Sequence, residues 1–493
     1  GVGEPRHRKG RGEQCEQARS ACPPQWTGPA NAAARWQSIG ASPEDVDAVR
    51  HGVRAAWTSA GPPKQFDHGD SLREATREER AFFTSERERL LRTGAWEVAK
   101  RRRFVSQAFL VPKAGSKSFR LVIDLRWLNS FCPPAGAEVE GLRELRTIAE
   151  RDDWMVSVDL SDAYYHFRIH EDDKEFFQFA VDGEVFNLRG LSFGWSHSPS
   201  VFTRLMGGAV AHLRSGAARR RMRSQASASQ PGWRNVAAKG ARLLWYLDDF
   251  LLLARSPEEA AALRDEAVWL FRWLGLSLQE EKCVWEPTQR LKHLGLIVDT
   301  EQGIFEVDPE KVNKIARMAN ALLSASARNQ RRVRKRDIAK FVGLCNFVHL
   351  AVRPARFHTR ELHDVMSTLD GWSGKVRLTK QATLDLKWWR ELPCKWRGSW
   401  IWRPVETMSM WTDSSDFAWG GTLGDADTEA QGYWRPGDEI ECHITLKELR
   451  AVTRVVECFA SRLAGHHVRH WEDNQAVVHI INNVTTRSPE IMS

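Results

Sequence analysis

The sequence has few of the features that stabilise secreted, membrane-spanning or repetitive proteins. Its eight cysteines (15, 22, 132, 283, 345, 394, 442 and 458) include no Cys-x-x-Cys pair, and there is no signal peptide or apolar run of about 18 residues. These absences argue against a disulfide scaffold and a membrane-spanning helix. They predict an intracellular protein, cytoplasmic or nuclear and not secreted, with unpaired thiols. His443, His466, His467 and His470 lie near one another, but no Cys or His spacing around them suits zinc. No repeat of about 20 to 50 residues is visible, which argues against a solenoid. Tyrosine is scarce, with four in 493 residues, and three of them (Tyr164, Tyr165, Tyr246) fall within two short acidic segments.

The chain does have length and positive charge. At 493 residues, 42% hydrophobic and 27% charged, it can form about two to four globular domains. A net charge of +9 is compatible with a polyanionic partner, although arginine enrichment can also follow from genome base composition. The first residue is Gly and the last three are Ile491-Met492-Ser493, so a fragment of a longer polypeptide is expected. Residues 1 to about 30, basic and rich in Gly, Pro and Gln, read as a flexible leader. Between about 72 and 100 the apolar spacing predicts an amphipathic helix ending at Thr93-Gly94. A hairpin is expected next, from Ser106 to Lys113, through the turn Ala114-Gly115-Ser116, and back along Phe119 to Leu125. Residues 211 to 240, with Arg219-Arg220-Arg221, read as a solvated basic insertion, and 306 to 400 as mainly helical. Strand character returns from Met408.

The tetrad Tyr246-Leu247-Asp248-Asp249 places two carboxylates between the apolar runs Leu243-Leu244-Trp245 and Phe250-Leu251-Leu252-Leu253. Desolvating carboxylates costs several kcal/mol each without a compensating cation, so an apolar hairpin tipped with Asp reads as a divalent-metal seat. An Asx turn is the plainer alternative. Upstream, Val156, Val158 and Leu160 share one strand face while Ser157, Asp159 and Ser161 share the other, so Asp159 projects from the polar side. Two metal ions held by Asp159 and Asp248 could align a 3′ hydroxyl with a triphosphate. Asp162, with Ser161, is expected to cap a helix starting at Ala163.

From about residue 104 onward the chain resembles reverse transcriptases. The resemblance lies in ordered motifs: Phe109-Leu110-Val111-Pro112-Lys113 through Arg120 and Asp124 to Asn129; Val158-Asp159-Leu160-Ser161-Asp162-Ala163-Tyr164; Leu191-Ser192-Phe193-Gly194-Trp195-Ser196-His197-Ser198-Pro199; the tetrad; Gly275-Leu276-Ser277-Leu278 with Lys282-Cys283; and His293-Leu294-Gly295-Leu296, similar to a primer-gripping strand. The resemblance implies an α/β (α+β) right-hand polymerase of fingers, palm and thumb. Asp159, Asp248 and Asp249 would hold two Mg²⁺ (Mn²⁺ as substitute), with the Leu160 carbonyl as a further ligand. Lys113 and Arg120 would meet a deoxynucleoside triphosphate, since ammonium and guanidinium suit phosphate oxygens. Tyr164 would exclude a 2′ hydroxyl, and Phe193, which departs from the Gln usual in retroviral enzymes, would with Gly194 shape the floor beneath the base pair.

A second constellation, Asp413, Glu448 and Asp473, resembles a ribonuclease H domain with two further Mg²⁺, whose usual fourth acid is not found. The implied boundaries are a leader at 1–70, fingers and palm at 71–305, a helical thumb and connection at 306–405, and a C-terminally incomplete ribonuclease H-like domain at 406–493. Trp36-Gln37-Ser38-Ile39-Gly40 with Gly61-Pro62-Pro63, Asp385-Leu386-Lys387-Trp388-Trp389, and Asp473-Asn474 through Ile480-Ile481-Asn482 to Thr486-Arg487-Ser488-Pro489 look most like DIRS-type retrotransposons, which also encode a tyrosine recombinase. Gypsy-type elements and pararetroviruses are close alternatives. The implied partners are an RNA template, a DNA primer, RNA–DNA hybrid and deoxynucleotides, within a longer polyprotein that includes a recombinase or integrase. A decayed element that only binds nucleic acid is the alternative function. An RNA-dependent RNA polymerase is disfavoured by Tyr164.

Overall fold

The computed structural model describes residues 32–113, 118–218, 220, 240–392, 398–402, 407–424, 428–435, 442–464 and 466–483. The chain divides into two compact units, Gly1–Leu294 and Gly295–Ser493. The turn 114–116, most of the basic insertion, the tail 486–489 and residues 1–31 lie outside the described residues.

In the first unit, the expected leader is partly built into the fold. Ser42 caps the helix Pro43–His51 by accepting from the Asp45 amide, and the short helix Ala33–Ser38 precedes it. Trp36 is fully buried, donates its indole N–H to the Leu274 carbonyl at 3.0 Å, and meets Phe167 edge-on at 5.6 Å. The expected amphipathic helix runs from Arg77 to Thr93, begun by the reciprocal Thr76–Glu79 capping box and ended by Gly94 at φ 74°. The start of the expected insertion is ordered: the helix Ser198–Arg214, begun by Pro199 in its first turn, carries buried Leu213 into it.

The expected continuous strand from Ser106 to Lys113 is broken at Gln107. Phe104–Ser106 joins a five-stranded sheet, in spatial order Phe66–Asp67, Phe104–Ser106, Gln178–Val181, Glu184–Leu188, Trp96–Val98. Ala108–Pro112 pairs separately and antiparallel with Phe119–Ile123.

A second, four-stranded sheet has the order Val284–Thr288, Trp154–Asp159, Asp249–Ala254, Arg242–Tyr246, and the helix Pro257–Trp273 packs on it. Leu251, Leu252, Leu253, Met155, Val156 and Val158 are all buried, so both faces of the central strands are covered. The expected polar face of Trp154–Asp159 is therefore interior as well: Ser157 is buried opposite Leu251.

The second unit opens with antiparallel strands Leu296–Asp299 and Ile304–Val307, the latter pairing with Ser399–Trp400. The helices Pro309–Arg328, Lys335–Phe347, Phe357–Ser367 and Lys380–Arg390 follow, in agreement with the helical expectation for 306–400. Its last part is a sheet of order Glu429–Tyr433, Ala418–Leu423, Met408–Ser414, Val468–Trp471, whose final pair is parallel. The helix Ile444–Cys458 packs on it through Met410, Leu423 and Val455. Among the described residues no helix is long and apolar enough to cross a membrane, and Cys132, Cys283, Cys345, Cys442 and Cys458 are free thiols.

Removing the buried indole tests whether residues 32–51 belong to the first unit. Trp36→Ala is expected to cost about 3–5 kcal/mol in urea denaturation. A loss below about 1 kcal/mol would show that these helices are peripheral.

Candidate active site and a second acidic cluster

The tetrad forms the tight end of a hairpin. Asp249 pairs with Tyr246, which leaves Leu247 and Asp248 as the turn. Leu247 adopts φ 53°, unfavourable for a branched side chain, and its carbonyl accepts the Trp245 indole N–H at 2.5 Å. Only Asp248 thus occupies the tip, because Asp249 is already in the ladder and directly opposite Asp159 on the neighbouring strand. The Leu160 amide donates to the Asp248 carbonyl at 2.9 Å, and the Asp159 carbonyl accepts the Gln279 amide at 2.8 Å. Leu160 itself is buried. Asp249 and Asp159 thus sit opposite each other at one end of a buried sheet, with Asp248 in the adjoining turn.

The electrostatics follow from that crowding. Burial pushes the Asp159 carboxyl up to about 6; Lys282, with its ammonium 3.4 Å away, opposes the rise, while the charges of Asp248 and Asp249 add to it. Burial also raises Asp248. One ammonium beside three carboxylates leaves an excess of oxygen donors, a set that fits a hard divalent cation such as Mg²⁺. Lys282 belongs to a quoted motif, yet its contact with Asp159 was not anticipated.

Tyr164 lies in the short 3₁₀ turn Ala163–His166, buried, its ring 4.8 Å from Phe193 and 5.5 Å from Phe202. Burial, with Asp248 and Tyr246 nearby, pushes its hydroxyl up to about 12. Phe193 remains partly exposed. Gly194 has φ 106°, and a Cβ there would come within 2.8 Å of the Ile123 carbonyl, so the close approach requires glycine. Asn129 secures the loop, donating to the Gly194 carbonyl at 2.7 Å and accepting the Ser196 amide at 2.9 Å. Asp162 does not cap a helix. It sits at φ 48°, makes no capping bond, and accepts from the Arg89 guanidinium at 2.5 Å. Lys113 and Arg120 are exposed on the separate hairpin, and among the described residues neither pairs with a carboxylate.

In the second unit, Glu448, Glu472 and Asp473 bring carboxylate oxygens within 4.8 Å of one another. Asp413 stands outside that group, exposed, its carboxylate accepting the Ser414 amide at 2.8 Å. Burial pushes Glu448 up to about 7, with Glu472, Asp413 and Asp473 adding repulsion. Its Oε2 is buried with no hydrogen-bond partner, an orphaned acceptor of the kind a divalent cation would satisfy. The sequence reading passed over Glu472, which accepts from the Thr412 hydroxyl at 3.1 Å and the Asn474 amide at 3.2 Å. Its only signal was a second acid beside Asp473.

Acids on adjacent antiparallel strands, a tyrosine-backed floor and helical elements downstream are the parts of a fingers, palm and thumb polymerase. The fold resembles the foamy viral protease-reverse transcriptase solved with double-stranded DNA (TM-score 0.56, 14% identity, covering 96% of this chain and 80% of that one). It also resembles the same kind of protein solved with RNA/DNA hybrid (TM-score 0.53, 14% identity, covering 94% and 60%). The particular family comes from the sequence: residues 111–298 match the family model "Reverse transcriptase (RNA-dependent DNA polymerase)", so the chain carries a reverse transcriptase domain. Relatives include the Gag-Pol polyproteins of Walleye dermal sarcoma virus, 31% identical over 99 residues (20% of this chain), and Avian leukosis virus subgroup A, 27% over 186 (36%). The "Putative enzymatic polyprotein" of Cassava vein mosaic virus is 26% identical over 223 residues (43%). The aligned stretches span 6%, 10% and 29% of those polyproteins respectively.

A cation held by Asp159 would compete with a proton for the same carboxylate. With the carboxyl raised to about 6 it is protonated below that pH and ionised above it, so Mn²⁺ affinity should fall as pH drops from 7 to 5. Electron paramagnetic titration measures this, and an affinity constant across that range would contradict the role of the buried carboxyl.

Proposed function

We propose that this chain is the polymerase of a retroelement, copying RNA and DNA templates into DNA by two-metal nucleotidyl transfer. The single observation that supports it best is the register that sets Asp249 against Asp159 with Asp248 at the adjoining turn. In this reading Asp159, Asp248 and Asp249, with the Leu160 carbonyl, hold Mg²⁺ (or Mn²⁺), which when bound stabilises the attacking and leaving oxygens of an in-line displacement. Lys113 and Arg120 meet the triphosphate of the incoming deoxynucleotide. Phe193 and Gly194 shape the surface under the base pair, and Tyr164 crowds the position of a 2′ hydroxyl. The operative partners are template RNA, DNA primer and the RNA–DNA hybrid they form, inside the cell.

The second unit supplies a ribonuclease H-like function in this proposal. Glu448, Glu472 and Asp473 hold the cations for hybrid cleavage, and Asp413, outside that cluster but near enough for its charge to act on Glu448, completes the acidic set. We further read the element as DIRS-type, on the segments from Trp36, Asp385 and Asp473 onward. A tyrosine recombinase encoded beside this chain would support that assignment, and an integrase with a zinc-binding head would move it to the Gypsy type.

Extension of a DNA primer on an RNA template tests the polymerase. Asp248→Asn should lower the rate by about 10³-fold or more, and equal rates for the two proteins would rule out the metal role. Tyr164→Ala should admit ribonucleotides that the parent rejects, as seen by incorporation of labelled ribonucleoside triphosphates. Unchanged discrimination would remove the gate. Glu448→Gln should abolish cleavage of a labelled hybrid while leaving primer extension intact; cleavage that survives would dissociate the second cluster from that activity.

A further inference from the structure

We infer that His293 is a positioning residue whose imidazole orients the Asp249 carboxylate toward the ion it shares with Asp159 and Asp248, an inference that rests on the two-metal reading above. The strand Arg290–His293 alternates outward and inward, with Arg290 and Lys292 exposed and Leu291 and His293 buried. Leu291 fills its interior position with an apolar side chain. His293 instead puts an imidazole into the interior with only 2% of the residue exposed. Its Nδ1 lies 3.3 Å from Asp249 Oδ1, and its Nε2 is buried with no hydrogen-bond partner.

That combination has a cost and points to a purpose. A buried imidazole serving the fold alone would pair both nitrogens, and an aliphatic side chain would fill the space without leaving a polar atom unpaired. Here the polar contact that remains is with an acid of the candidate site. The acids also divide their neighbours: Lys282 lies beside Asp159, and among the described residues His293 is the one basic side chain in ion-pair contact with Asp249. The Asp249 side chain is 29% exposed, so without a contact on its inner side its carboxylate could swing toward solvent. Groups outside the coordination sphere that fix a ligand's orientation typically govern metal affinity or activity by about 10- to 100-fold. The resemblance placed His293 first in a motif expected to grip primer. In the structure it faces inward to the acids, and Leu294 at φ 44° begins the turn after it.

The full chain and its His293→Leu and His293→Asn variants test this. Mn²⁺ binding is measured by electron paramagnetic resonance without nucleotide, and single-turnover incorporation is followed against Mg²⁺ concentration. His293→Leu should raise the Mn²⁺ dissociation constant and the half-saturating Mg²⁺ concentration by about 10- to 100-fold. KM for the deoxynucleotide and affinity for primer-template should stay within about twofold, because His293 lies on the buried side of its strand and the proposed triphosphate contacts are Lys113 and Arg120. His293→Asn keeps a short donor near the Nδ1 position and should recover most of the loss. Unchanged metal dependence in His293→Leu overturns the inference, as does an equal loss in both variants accompanied by a lowered thermal midpoint, which would signify packing alone. If His293→Leu does not fold, His293→Asn against the parent decides by the same two readouts. A parent chain that binds no Mn²⁺ would overturn the two-metal reading, and this inference with it.

Discussion

Repulsion among Asp159, Asp248 and Asp249 is the constraint around which the first unit is organised. The charges of Asp248 and Asp249 raise the Asp159 carboxyl, and among the described residues Lys282 is the basic side chain in ion-pair contact with it. The sheet can bear that cost because its apolar interior is packed on both faces. Phe250 faces Val158, Leu251 faces Ser157 and Leu252 faces Val156, and all six side chains are buried. Apolar packing thus holds together carboxylates that would separate if left to their own charges. The result is a site with more carboxylates than basic partners, the condition on which the proposed metal role rests.

The surroundings of the acids serve the same end. Tyr164, Phe193 and Phe202 form an aromatic floor beside them. Gly194 lets that floor approach the end of the separate hairpin, where Asn129 clamps it. The clamp relates the hairpin that carries Lys113 and Arg120 to the Phe193 loop, although among the described residues neither cation pairs with an acid. The second cluster repeats the logic with a different scaffold. A helix brings Glu448 beneath the sheet that carries Asp413, and the residues just after Trp471 supply the remaining acids.

Features that depend on neighbours in sequence were legible beforehand. Charged residues inside apolar runs marked Asp159 and Asp248, the spacing of Phe82, Leu90 and Leu91 marked the first long helix, whose buried face turns out to hold Phe83 and Leu90, and Pro199 marked the start of another. Features that depend on distant strands were not. Asp162 looks like a cap in sequence, but Arg89, 73 residues earlier, takes its carboxylate instead. Lys282 meets Asp159 across 123 residues, and His293 reaches Asp249 only because the chain returns to the same place. Trp36 reads as part of a leader until Leu274 supplies its hydrogen-bond partner. Glu472 was hidden by strand alternation, which predicts a side but not that a buried Glu448 would wait there unpaired.

The most direct measurement is anomalous diffraction from crystals of the chain with primer-template, a non-hydrolysable deoxynucleotide and Mn²⁺. Two peaks about 3.5–4 Å apart, each within bonding distance of Asp159 and Asp248 oxygens, are the expected result. Electron density showing the two carboxylates without an ion between them, while nucleotide and primer are in place, would contradict it.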